Sequence, residues 1–197
     1  MGAQPADYST LSSKLVDCVA AAGVKIDVRN LRVASRLIQF DVFISSGEKP
    51  QTVIERVLQQ VESEFCDVVD FADITGGVAP LVAGKERLEL AYRMFAEERY
   101  WEAHDLLETL WRTERDPGRK KVLQGTILAA AAMVHAQKNR KEVALGVAAR
   151  ALRMIRVYKD DAKIGLEPFD VNYIGAQLDE MVSTGAVKPI VPANPGS

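Results

Sequence analysis

The spacing of apolar residues changes period along the chain, and the changes mark its elements. From Ser9 and Thr10 onward, Leu11, Leu15, Val19 and Ala22 recur at helical spacing, with a hydroxyl available as N-cap and Gly23 to close the helix. Val24, Ile26 and Val28 then alternate with polar residues, as do Ile38, Phe40 and Val42. Period two over two such runs predicts two strands. Between them, Arg29-Asn30 and Ala34-Ser35-Arg36 each suit a turn or a bulge. Pro50 stands where a helix can begin without its N–H, and Val53, Ile54, Val57, Leu58, Val61 and Phe65 line one face of the segment that follows. The run CDVVDFADIT, residues 66 to 75, reads as a third strand, with Asp67, Asp70 and Asp73 as a solvated face.

The order helix, strand, strand, helix, strand is that of a ferredoxin-like βαββαβ unit without its first strand. A sheet lacking that strand keeps a free edge, which the N-terminal tail, a protein partner or a second copy of the chain can meet. A homodimer through this edge is one expectation.

Past Gly76-Gly77-Val78-Ala79-Pro80, a linker by composition, every periodic segment is helical. Leu88, Ala91, Tyr92 and Phe95 share one face, and a break at Glu98-Arg99 leads into the helix that starts at Tyr100. Asp116-Pro117-Gly118 interrupts that pattern, and the stretch from Val122 to Val134 is apolar nearly all round, as suits the middle of a bundle. Two amphipathic segments follow, over 141–157 and 170–183. The fold class expected is therefore α+β: an αββαβ unit over 1–78, an all-α five-helix bundle over 79–185, and a flexible Pro-rich tail over 186–197. A faint repeat aligns residues 96–107 with 136–147 at an offset of 40, so solenoid packing of the tetratricopeptide kind is an alternative.

Charge adds a mild asymmetry. Residues 1–78 carry 7 Lys and Arg against 11 Asp and Glu, net −4, and the remainder is net +2. A total of −2 offers no basic field, so no nucleic-acid partner is expected. The stretch MGAQPADYST lacks the basic and apolar regions of a secretory signal, and no apolar run approaches the roughly 18 residues that cross a bilayer. No membrane association and a cytoplasmic location are expected. Cys18 and Cys66 show no CxxC spacing, which argues against a zinc ribbon.

The chemistry concentrates in YWEAHDLLETLW, residues 100–111, where His104, Glu108 and Trp111 fall on one helical stripe. An imidazole and a carboxylate four residues apart can chelate one divalent ion, but two ligands do not complete a site. The only other histidine is His135, and Gln124 lies eleven residues before it, about 20° away around the helix. Both can face the Tyr100 helix, with Glu102 or Asp105 as further oxygen donors. A cluster of Arg112, Arg115, Arg119, Lys120 and Lys121 around the following loop reads as a solvated surface or an anion contact. Phosphate loops, GxSxG elbows and Cys–His nucleophile pairs are absent from the sequence.

The string HDLLETLW fits HxxxExxW. Together with YWEA before it, Leu123-Gln124-Gly125, Asn139 and Gly165-Leu166-Glu167, it resembles the domain of unknown function 309 family over residues 84–183. The resemblance implies an all-helical fold, a metal site at the motif, and His104, Glu108 and Trp111 as the motif positions. Asp105 departs from the Glu common at that place and reaches one methylene less far.

Two functional readings follow. In the first, the helical unit holds a His/Glu-centred site for a divalent metal or a small polar ligand, compatible with hydrolase-like chemistry. Its metal ligands are then His104, Glu108 and His135, with Trp111, Gln124 and Asp105 lining the ligand. In the second, the unit is a non-enzymatic helical scaffold for protein partners, and the His–Glu pair only locks two helices by hydrogen bonds.

Overall fold

The two period-two runs pair antiparallel as β1 (Ile26–Val33) and β2 (Ile38–Ile44) in a computed structural model that describes residues 8–45, 47, 49–72, 84–158 and 166–193. The chain divides into two compact units, Met1–Gly76 and Gly77–Ser197.

In the first unit, helices α1 (Tyr8–Ala20) and α2 (Pro50–Glu64) supply Leu15, Val19, Val53, Val57 and Val61 to a core completed by Leu31 of β1. Both ambiguous breaks have separate roles. Ala34 N–H bonds Leu37 O at 2.9 Å and closes the turn, whereas the strand register shifts between Arg29 and Arg32. Asn30, with φ of 53°, belongs to that bulge. One extra residue reverses the inward phase, so the alternation begun by Ile26 and Val28 resumes at Leu31. On the opposite phase Arg32 is buried and pairs with Asp41 at 3.2 Å, and Asn30 donates to the same carboxylate at 2.7 Å.

The third strand does not form among the described residues. Residues 66–72 are irregular: Val68 packs on the core, but Val69 is 93% exposed and Phe71 is exposed. Adding this run to the sheet would bury little of it, and strand preference follows burial rather than backbone tendency. The sheet therefore has two strands here, not the three of a ferredoxin-like unit; residues 73–75 of the expected strand, Asp73 included, lie outside the described residues. Burial raises the thiols of both cysteines, with Glu64 adding to the effect at Cys18 and Asp67 at Cys66. Neither is prepared as a thiolate nucleophile.

The described residues of 84–158 and 166–184 carry α3 (Gly84–Ala96), α4 (Tyr100–Thr113), α5 (Pro117–Gln137), α6 (Lys141–Tyr158) and α7 (Val171–Thr184), and each packs chiefly on its neighbour in sequence. Asp116 caps α5 by accepting the Arg119 N–H at 2.7 Å, with Pro117 in the first turn, so the Asp-Pro-Gly interruption starts a helix as well as ending one. Helix α5 is buried on nearly every side, as its unbroken apolar run requires. Its Gly125 lets α6 approach closely: a Cβ there would stand 2.8 Å from Ile155 Cγ1. A Cβ on Gly175 of α7 would stand 3.2 Å from the other branch of the same Ile155, Cγ2.

The turns α3–α4 and α5–α6 share one geometry. Arg99 N–H reaches Met94 O at 2.8 Å and Arg140 N–H reaches His135 O at 2.9 Å, with Glu98 (φ 60°) and Asn139 (φ 56°) left-handed. The two turns thus correspond at an offset of 41, which is not the offset of 40 expected from the sequence. Gln137 joins the two by donating to Glu98 O at 2.7 Å.

The tail departs from expectation. Residues 186–193 are anchored rather than mobile: Ile190 is 1% exposed and Pro192 is buried. The Tyr100 hydroxyl donates to Ile190 O at 2.9 Å, the Tyr92 hydroxyl to Ala193 O, and Gln177 both donates to Val191 O at 2.7 Å and accepts Val191 N–H at 3.1 Å. Three prolines made this stretch look partnerless in sequence, but side chains satisfy its backbone. Residues 194–197 lie outside the described residues.

Candidate functional site

Helix α4 has two faces. Tyr100, Ala103, Leu106 and Leu107 are buried in the core of the unit, with Leu110 and Trp111 packed at its margin. Trp101, His104, Asp105, Glu108 and Arg112, at successive spacings of three, one, three and four, form a polar stripe along the exposed flank. The side chains of His104, Asp105 and Glu108 are 23%, 40% and 37% exposed, so the stripe is open to solvent yet partly shielded.

One ligand atom from each of these three residues lies within 4.8 Å of the other two, and no other such metal-competent group occurs among the described residues. His104 Nδ1 stands 3.5 Å from Asp105 Oδ1. Arg112 donates to Glu108 Oε1 at 3.0 Å, which leaves Oε2 for another partner. The Trp101 ring stacks on the imidazole at 5.8 Å with only 7° between planes, and the Lys138 ammonium approaches the same indole at 5.9 Å. Stacking fixes the imidazole plane, as an outer partner of a ligating histidine would.

Not every expected site residue is brought here. His135 is outside the group. Instead His135 belongs to the last turn of α5, its Nδ1 buried without a hydrogen bond. Burial, then Arg140 and Lys138, lower its pKa, so it stays neutral. Gln124 is half-buried and makes no hydrogen bond to His104 or Glu108 among the described residues. Trp111 shares the azimuth of His104 but lies about 10 Å away along the helix, under the Lys120 ammonium at 4.8 Å. Asp105, expected as a lining residue, is instead the third member.

Trp101 and Arg112 were readable in principle, since they stand three residues before His104 and four after Glu108 on the same helix. Lys138 was not, because tertiary packing alone brings it to Trp101.

Fold and site together define an α+β protein whose helical unit bears a surface His/Asp/Glu group on one buried-faced helix. Residues 88–147 of that unit, from α3 through the first half of α6 and across all of α4, match the model of the family described as Domain of unknown function (DUF309). No curated protein and no solved structure matches the chain. Among the described residues no helix is long and apolar enough to cross a membrane.

Proposed function

We propose that His104, Asp105 and Glu108 bind a divalent metal ion. The observation that carries the reading is the convergence of one imidazole and two carboxylates within 4.8 Å on a single helix flank. The donor set fits: mixed nitrogen and oxygen ligands suit zinc, manganese or iron(II) better than soft copper(I), and three protein ligands leave positions for water or a small polar ligand. A bound ion would supply Lewis acidity at that open position. Trp101 would hold the imidazole plane, while Arg112 would orient Glu108 through one oxygen and leave the other to the ion. Hydrolase-like chemistry would act on a water or small polar ligand at that open position, which the partial exposure of Asp105 and Glu108 keeps accessible.

The test is metal content by mass spectrometry on chain purified without chelator or affinity tag. About one divalent ion per chain, lost in His104→Ala, is expected. Ion-free protein that also fails to take up zinc or manganese, or uptake indifferent to the substitution, would overturn the proposal.

One observation favours a second reading, a helical scaffold. Consecutive helices pack as hairpins with a repeated turn, as in tetratricopeptide-like arrays, and Val143 and Val157 of α6 are exposed. In that reading partners dock on the helices, and the two-stranded sheet, each strand paired on one side among the described residues, offers its edge to a partner or a second copy. The His–Glu lock once expected has lost its bond, however: His104 hydrogen-bonds Asp105, not Glu108.

A further inference from the structure

The anchoring of residues 186–193 is unlike the packing of a helix end. The hydrogen bonds that hold residues 190–193 pair side chains of the helices with the backbone of the segment: the Tyr92 hydroxyl of α3, the Tyr100 hydroxyl of α4 and the Gln177 amide of α7 donate to it, and Gln177 also accepts the Val191 N–H. Side-chain specificity is confined to two positions, Ile190 and Pro192, which are buried, while Val191 between them points outward, 40% exposed. Lys188 adds one exposed ion pair to Glu180 at 2.7 Å. A surface that reads extended backbone through fixed side chains and takes alternate residues into apolar positions is how grooves recognise linear peptides.

A second observation concerns how closely the groove is filled. With the segment in place the Tyr100 side chain is 1% exposed, and its hydroxyl donates to Ile190 O. Removing the segment would open that hydroxyl and the apolar surface under Ile190 to water. At the other end the segment is attached lightly. Gly185 ends α7 in a left-handed conformation (φ 65°), and Ala186, Lys188 and Pro189 are exposed, so between Gly185 and Ile190 only the partly buried Val187 packs on the core, while residues 190–193 carry the hydrogen bonds to the helices.

We infer that Tyr92, Tyr100 and Gln177 form a docking groove for an extended peptide of the pattern aliphatic-x-Pro, and that the chain's own Ile190-Val191-Pro192 is its resident ligand. Tethering gives the resident segment an effective concentration on the order of millimolar, so a weak intrinsic affinity suffices to keep the groove filled. A partner carrying the same pattern competes with it and gains access when the tail is released.

The experiment uses full-length chain and a fluorescein-labelled peptide of residues 185–197, read by fluorescence anisotropy. Ile190→Asp places a charge in the buried position and ejects the resident segment. Saturable binding of the peptide to Ile190→Asp is expected, at least tenfold weaker to the unsubstituted chain, whose groove is filled, and at least tenfold weaker to Ile190→Asp/Gln177→Ala. A peptide carrying Asp at the position of Ile190 should not bind. If Ile190→Asp loses its helical circular dichroism, Val191→Pro, which deletes the N–H received by Gln177 and restricts the backbone of the segment at residues 190 and 191, takes its place with the same expectations. A folded variant that binds no peptide, or equal binding to all three chains, overturns the inference.

Discussion

The two units reach a stable core by opposite routes. The first gathers six buried apolar residues between two helices and one hairpin, and beside them it buries a charge, Arg32, against Asp41. The second packs five helices through alanines, glycines and aromatic edges: Phe95 meets Tyr100 at 5.1 Å and Phe169 at 5.6 Å, both nearly perpendicular. A thin core depends on one polar pair being satisfied, whereas a dense one depends on shape. The dense core also leaves the outer flank of α4 free of structural duty, which is where the His/Asp/Glu group lies.

The largest expected effect attacks shape. Phe95→Ala should destabilise the helical unit by about 4 kcal/mol, because a fully buried ring is removed from an aromatic cluster that cannot collapse around the void. Both tryptophans belong to this unit, so the shift is read in the midpoint of urea unfolding followed by tryptophan fluorescence. A change below about 1 kcal/mol would mean that the cluster repacks, and the contrast with the first unit would weaken.

Next comes charge. Asp41→Ala leaves the Arg32 guanidinium buried without its carboxylate, and breaking such a pair costs about 3 kcal/mol. The loss should appear in far-ultraviolet circular dichroism and leave the tryptophan midpoint in place. If both signals move together, the two units do not unfold separately and the comparison fails. Asp41→Ala combined with Arg32→Leu should recover much of the loss, since removing both charges removes the unpaired one.

How far these differences were legible depends on what carried them. The helices of the second unit were readable because each writes its own period, and α5, apolar all round, announced its central place. The β1 bulge was half readable: Asn30 stood at an ambiguous break, but only pairing with β2 shows that one extra residue re-phases Leu31 inward. The third strand misled because Val68, Val69 and Phe71 look alike in sequence and differ only in what they meet. At the site, His104 and Glu108 were visible by spacing along one helix, whereas whether His135 joins them depends on how α5 packs on α4, which no spacing within one helix records. The tail was misread for a related reason, since prolines in sequence reveal missing donors but not the glutamine and tyrosines that bind the remaining backbone.

A smaller effect tests how tight the dense core is. Gly125→Ala drives a Cβ against Ile155 Cγ1, and the other branch of Ile155 faces Gly175, where an added Cβ would stand 3.2 Å from Cγ2. Overpacking costs about 2 kcal/mol, offset by up to about 1 kcal/mol of helix propensity gained. Gly175→Ala, with its contact at 3.2 Å, should cost less. Thermal midpoints rank the two, and the reverse order would show that α7 rather than α5 is pinned against α6.

The smallest expected effect on stability separates site from scaffold. Glu108→Gln keeps the shape of the side chain and removes its charge. If the stripe is a metal site, stability should change by no more than about 0.5 kcal/mol, the scale of the exposed Arg112–Glu108 pair at i,i+4 spacing, while zinc or manganese affinity measured by calorimetry falls at least tenfold. If the stripe instead locks the helices, the order inverts, with a stability loss above about 1 kcal/mol and no change in metal uptake. Trp101→Phe sharpens the same contrast, because it shrinks the ring stacked on His104 without touching a ligand atom. In a metal site it lowers affinity by a few-fold through a loosened imidazole, and in a scaffold it leaves the calorimetric trace flat.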